Sequence, residues 1–360
     1  GTDIILHIAE DSEEFLQPFR IRELLNKYCK FLPVEIEFEE KVINNTQPLW
    51  VKKPADLKDQ DYLDFYNELY PFSEPPLFWI HLNVDYPFNL TGVLYFPKVK
   101  KDVEIQRNKI LLYSNQVFVT DDVREIVPEF LMLLHGVIDS PDIPLNVSRS
   151  FLQADANVKK ITSHITKKVA DKLDEIFKND RKVYEEKWEG TGLFVKYGII
   201  SDEKFADRAG KLALLKNSEN QYFTIEEYKE KIKIAQTNKD NKIVFLFAND
   251  AQNQHSFIEN ASKRAYDVLI LDEILDNHFI GWLESKHEDI KVFRVDADSI
   301  DKLVDKDEKR ESVLSEDDLK KVKSIYETLL ADKKWEVETE PQSPDDQFLT
   351  ITMPEFERRM

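Results

Sequence analysis

Glycine is scarce in this chain, with eight in 360 residues, and none falls in a Gly-x-x-x-x-Gly-Lys-Ser/Thr or Gly-x-Gly-x-x-Gly pattern. A loop that cradles phosphate with its backbone needs those glycines, so a self-contained nucleotide site is hard to build here. Cysteine is scarcer still. Cys29 stands alone, cannot form an internal disulfide, and fits a reducing, cytoplasmic compartment. Its place in an amphipathic stretch, with no histidine beside it, reads as a structural thiol rather than a nucleophile. The seven histidines are scattered, and the closest pair, His278 and His287, lacks helical ligand spacing, so no metal site is expected. There is no apolar run of about 18 residues, and no membrane span is expected. Positive charge is also in deficit. Lys and Arg number 50 against 69 Asp and Glu, a net charge of −19 that disfavours nucleic acid and anionic membrane as partners.

What the chain has is core-forming material: 42% hydrophobic and 11% aromatic residues, enough at this length for about two or three domains. "IILHIAE" reads as a first strand, and "DSEEFLQPFRIRELLNKYCKFL" as a helix capped by Asp11 and Ser12, with Pro18 near its start or kinking it. A second helix is expected at "DQDYLDFYNELYPF". Strands follow at "LFWIHLNVDY", "LTGVLYFPKV" and "KILLYSNQVFVTD", the first two closing a hairpin around Pro87, Phe88 and Asn89. Asp121 and Asp122 read as caps of a short helix, a better account than paired glycosidase carboxylates. Residues 1–155 therefore read as a large α/β subdomain. From Ala156, apolar Val158, Ile161, Ile165, Val169, Leu173 and Phe177 recur at helical spacing and open a helical block over 156–236. Over 237–300, strands at "KIVFLFAND", "YDVLILDE" and "IKVFRVD" alternate with helices, which implies a small parallel sheet. Residues 301–360 read as a charged hinge, a helix and a strand at "KKWEVETE". The fold class is mixed α/β (α+β): a larger α-β-α sandwich, a helical coil, a smaller parallel sandwich and a partial α+β segment.

One residue carries chemistry of its own. Arg149, in "DSPDIPLNVSRSFLQ", sits where an acidic, proline-punctuated loop becomes the long helix. Its guanidinium is always charged, and its planar fork suits phosphate oxygens. Held at such a junction, it could reach a nucleotide bound elsewhere and stabilise charge on a transferring phosphoryl group. Gln153, four residues on, shares its helical face, and Asn146 precedes it on the loop. The other reading pairs Arg149 locally with the acids of "DSPD". Arg208, inside the helical block, reads as structural, and Phe118 as a packing residue.

These residues also carry a resemblance. "DSPDIPLNVSRSFLQ" resembles the D-S-E-D-L-P-L-N-[LIV]-S-R-E-x-L-Q signature of the 90-kilodalton heat-shock chaperone family. "GTDIILHIAEDSEEFL", "PLWVKKPADLKDQDYLDFYNELY", "QVFVTDD" and "VKYGIISDEKFADRAGKLALL" resemble further family segments in the right order. The resemblance covers about residues 1–300 and identifies the chain as a bacterial-type member, its middle domain followed by a truncated C-terminal part. Asn115 and Gln116 replace the family's arginine pair, and Ser150 its glutamate, which bears on secondary contacts to the nucleotide domain. The resemblance implies an ATP-dependent chaperone segment that would not hydrolyse ATP alone. ATP would be held mainly by an N-terminal domain, with Arg149 reaching its γ-phosphate and Gln153 and Asn146 supporting the closed state. It also implies unfolded clients, with Trp50 as a contact or else a core aromatic, and a homodimer in the full-length protein.

Overall fold

The computed structural model describes residues 1–98, 109–124, 126–143, 156–306, 312, 314–330, 335–341 and 349–354. The chain divides into two compact units, Gly1–Leu214 and Leu215–Met360.

In the first unit, α1 (Pro18–Tyr28) begins with Pro18 at its first turn, where a missing N–H costs nothing. The expected cap at Asp11 and Ser12 is absent; those residues lie in a separate 3₁₀ turn, Glu10–Leu16. The expected strand at "IILHIAE" does not form either. Ile4, Ile5 and Leu6 are exposed, and among the described residues no edge pairs with them. A branched apolar run becomes a strand only where a neighbour takes its hydrogen bonds.

A small hairpin, β1 (Glu37–Phe38) with β2 (Lys41–Val42), leads through a 3₁₀ turn at Leu49–Val51 to α2 (Asp59–Leu69). The main sheet contains β3 (Phe78–Val84), β4 (Leu90–Phe96), β5 (Ile110–Ser114), β6 (Val117–Thr120) and β7 (His135–Asp139). Its order is β3-β4-β7-β5-β6, with β5 and β7 parallel and the other pairs antiparallel. The single strand expected at "KILLYSNQVFVTD" is a hairpin. Asn115 and Gln116 take φ of +50° and +63°, the paired left-handed conformation of a tight two-residue turn.

Glycine is indispensable where β4 meets β7. At Gly136, with φ +133°, a Cβ would lie 2.0 Å from the Val93 carbonyl oxygen. No other residue permits so close an approach.

One sheet face packs under α2 and the 49–51 turn in an aromatic cluster of Phe31, Trp50, Phe65, Tyr66, Tyr95 and Tyr113. The other is covered by α3 (Ala156–Asn179), α4 (Arg181–Ser201) and α5 (Glu203–Ala209). There Phe96 of β4 meets Phe194 of α4 at 5.2 Å between ring centroids, and Phe130 meets Phe205 of α5 at 4.7 Å. α3 buries Val158, Ile161, Ile165, Val169 and Leu173, the stripe its spacing predicts, each worth about 1.5–3 kcal/mol. The result is a three-layer α-β-α sandwich.

A hairpin, β8 (Leu214–Lys216) with β9 (Tyr222–Thr224), begins at the boundary, and α6 (Ile225–Ile232) follows it in the second unit. A reciprocal Thr224–Glu227 capping box opens α6. β10 (Ile243–Ala248), α7 (His255–Lys263), β11 (Val268–Ile270), α8 (Asp276–Lys286) and β12 (Ile290–Arg294) form the expected small parallel sheet, ordered β11-β10-β12. β10 is buried along its whole length, which is why it reads as an uninterrupted apolar run. α9 (Ile300–Val304) and α10 (Glu316–Leu329) follow. The strand expected at "KKWEVETE" is not present over 335–340. That stretch is held instead by side chains, with Lys302 bridging Glu338 and Glu340.

Candidate functional site

The signature segment leaves the sheet at the end of β7, and its first residues are fixed by contacts distant in sequence. Asp139 is 5% exposed. Its Oδ2 accepts from the Trp50 indole Nε1 at 3.0 Å and from the Gln116 backbone N–H at 3.0 Å. Burial raises the Asp139 pKa above the usual carboxylate range, and the hydrogen bonds from Trp50, Gln116 and Asn115 oppose that rise.

Ser140 is fully buried. Its N–H donates to the Tyr113 carbonyl at 3.1 Å and its Oγ to the Asn89 carbonyl at 2.5 Å. The Asn89 N–H in turn donates to Asp142 at 2.6 Å. The "DSPD" stretch is therefore stapled to the β3–β4 turn on one side and to the β5–β6 turn on the other.

Gln116 completes the frame. Besides its N–H to Asp139, its side-chain Nε2 donates to the Phe31 and Thr46 carbonyls at 2.9 and 3.0 Å. It stands where the family resemblance placed an arginine, yet here it turns inward. The sequence reading missed Gln116 and Asn89 as site residues, and only the turn-forming character of the Asn115–Gln116 pair could have signalled one of them.

Trp50 is 1% exposed, with its ring 4.8 Å from Phe31 and 5.3 Å from Tyr113 between centroids. A client could touch it only if the ring left that pocket. Phe118 packs edge-on against Tyr113 at 5.6 Å. Nearby His135 bonds through Nδ1 to the Tyr66 hydroxyl at 2.9 Å, and burial with the Lys109 charge pushes its pKa down to about 4. Burial pushes the Cys29 thiol up, away from a reactive thiolate. Arg149, Gln153 and Asn146 lie outside the described residues.

Among the described residues no group of three or more His, Cys, Asp or Glu could hold a metal ion, and no helix is long and apolar enough to cross a membrane. The site elements that are described offer anchoring groups rather than a nucleophile and base. They can hold the start of a loop rigidly.

The family model for "Hsp90 protein" matches residues 26–342. "Chaperone protein HtpG" of Porphyromonas gingivalis is 52% identical over 378 residues, covering 100% of this chain and 55% of that protein. The HtpG of Bacteroides thetaiotaomicron is 49% identical, with 100% of this chain and 56% of its own length covered. That of Photorhabdus laumondii is 30% identical over 98% of this chain and 59% of its own. The chain thus spans little more than half the length of these curated relatives. With a family model across most of its residues and bacterial HtpG relatives along its whole length, the chain belongs to the Hsp90 chaperone family.

Proposed function

We propose that this chain is the client-handling and ATPase-activating segment of an ATP-driven folding chaperone. On this reading Arg149 reaches the γ-phosphate of an ATP held by a domain outside the chain. The observation that supports it most is the anchoring of the signature segment at Asp139, Ser140 and Asp142. A guanidinium can act across a domain boundary only if the chain that carries it is pre-positioned.

The same anchoring weighs against a purely local salt bridge. Asp139 is buried and already engaged by Trp50 and Gln116, and Asp142 receives the Asn89 N–H. A trans-acting arginine of this kind contributes about 10³–10⁵-fold to turnover in phosphoryl-transfer enzymes. Gln153 shares the helical face of Arg149, and Asn146 precedes it; both would support the closed arrangement. ATP is then the cofactor of the whole protein, and unfolded clients and a second copy of the chain are its partners. A cytoplasmic setting suits a chain with one cysteine.

The test is refolding of a heat-denatured reporter enzyme by the full-length chaperone. Arg149→Ala is expected to keep ATP-independent suppression of aggregation and to lose ATP-dependent refolding. Refolding at the wild-type level would leave the segment as a docking module with a structural arginine.

A further inference from the structure

A groove of about 1040 Å³ opens on the first unit, bounded by the β3–β4 turn, residues 124 and 126–128, α3 and α5. Its apolar lining includes Phe88, Ile126, Val127 and Val158. Its rim is cationic, with Lys159, Lys160 and Lys167 from α3, Lys204 and Arg208 from α5, and Arg124 from the loop. Among the described lining residues the acids are Asp202 and Asp207, in a chain whose net charge is −19.

Some of these charges are already used. Arg124 is chelated by Asp122, Arg208 lies 3.9 Å from Asp171, and the Asp202 carboxylate caps α5 by accepting from the Phe205 N–H at 2.8 Å. Lys159, Lys160, Lys167 and Lys204 form no ion pair among the described residues. Burial first, and then the charges of Lys168 and Lys167, hold the His164 pKa down, with Asp171 opposing them.

Two polar atoms in the lining are also unsatisfied. Thr166 is 4% exposed, and its Oγ1 has no hydrogen-bond partner among the described residues; neither has the buried His164 Nε2. Thr162, one turn earlier, donates to the Val158 carbonyl at 2.8 Å, the usual outlet for a helical threonine. Buried polar atoms are as a rule paired, and these two are not.

We infer that the groove binds an extended polypeptide segment in which acidic and apolar residues alternate. Alternate side chains of an extended strand point to opposite faces, so one set can meet Phe88, Ile126 and Val127 while the other reaches the lysines. A compact phosphate fits less well. It is held by convergent backbone N–H groups at a glycine turn or an open helix N-terminus, whereas no glycine lines the groove and α5 is already capped by Asp202.

The test is fluorescence anisotropy of a labelled peptide of alternating glutamate and leucine added to this chain without nucleotide, so its result is independent of Arg149. Binding is expected to weaken steeply with salt, because charges at the rim are screened over about 8 Å at physiological ionic strength. It is also expected to weaken at least about tenfold in the combined Lys160→Glu, Lys167→Glu, Lys204→Glu variant, whose thermal melt should match the parent's. The neutral Lys160→Gln, Lys167→Gln pair is expected to give an intermediate loss, and the glutamine–leucine peptide should bind weakly. Equal binding by parent and variants would overturn the inference. So would tripolyphosphate binding through the same lysines while the peptide does not bind.

Discussion

The indole of Trp50 donates to the buried carboxylate of Asp139 at 3.0 Å, across 89 residues of sequence. This bond joins the turn over the aromatic cluster to the first residue of the signature segment. Asp139→Ala would leave the buried Trp50 Nε1 and the part-buried Gln116 N–H without a partner. An unsatisfied buried group costs about 1–3 kcal/mol, so a loss of about 2–5 kcal/mol is expected in denaturant melts. Asp139→Asn keeps an acceptor and removes the buried charge, so it should cost clearly less. Equal losses in the two variants would show that the hydrogen bonds are not what matters at this position.

Stability of the first unit should depend on pH through His135. The unfolded imidazole takes up its proton near the ordinary value of 6.5, whereas burial first, and then Lys109, hold the folded ring at about 4. Between these values the unfolded state binds more protons, so stability is lost as pH falls from 6.5 toward 4, by about 3 kcal/mol across the window. Asp139, raised by burial, works the other way as it protonates and softens the lower end. His135→Gln should flatten the profile in urea titrations at a series of pH values. An unchanged slope would locate the pH dependence elsewhere.

Two glycines should respond in opposite directions to alanine. At Gly136 the new Cβ would meet the Val93 carbonyl oxygen at 2.0 Å on a backbone with φ +133°. Neither strand can yield without breaking the β4–β7 ladder, and a loss of at least about 3 kcal/mol is expected. At Gly281, inside α8, nothing lies within 4 Å, and alanine should stabilise the second unit by about 0.5–1 kcal/mol. Thermal melts of the two variants check both signs.

Much of the fold was legible in the residues. α3 was, because its apolar side chains recur on one side of a helix, and so was the 243–294 sheet, because β10 buries both faces. Elements whose existence depends on a partner were not. Ile4, Ile5, Leu6 and Ile8 are apolar and branched like the residues of a strand but are exposed, and Trp335 to Glu340 are held by Lys302 rather than by a ladder. The Asn115–Gln116 turn was hidden because its left-handed pair contains no glycine.

The candidate site was legible only through its family resemblance. Its anchors come from far away in sequence: Trp50 lies 89 residues from Asp139, Gln116 lies 23 from it, and Asn89 lies 53 from Asp142. No spacing rule joins such positions. The groove was hidden for the same reason, since its lysines belong to two helices that only packing brings together.

The central claim is that Arg149 serves a nucleotide outside this chain, and steady-state ATP turnover of the full-length chaperone tests it most directly. Arg149→Ala should lower kcat by about 10³-fold, while the Kd for ATP stays within a few-fold of the parent's. Arg149→Lys should recover only part of the loss, because an ammonium cannot span two phosphate oxygens as a guanidinium does. Unchanged turnover in Arg149→Ala, with ATP still bound, would contradict the account.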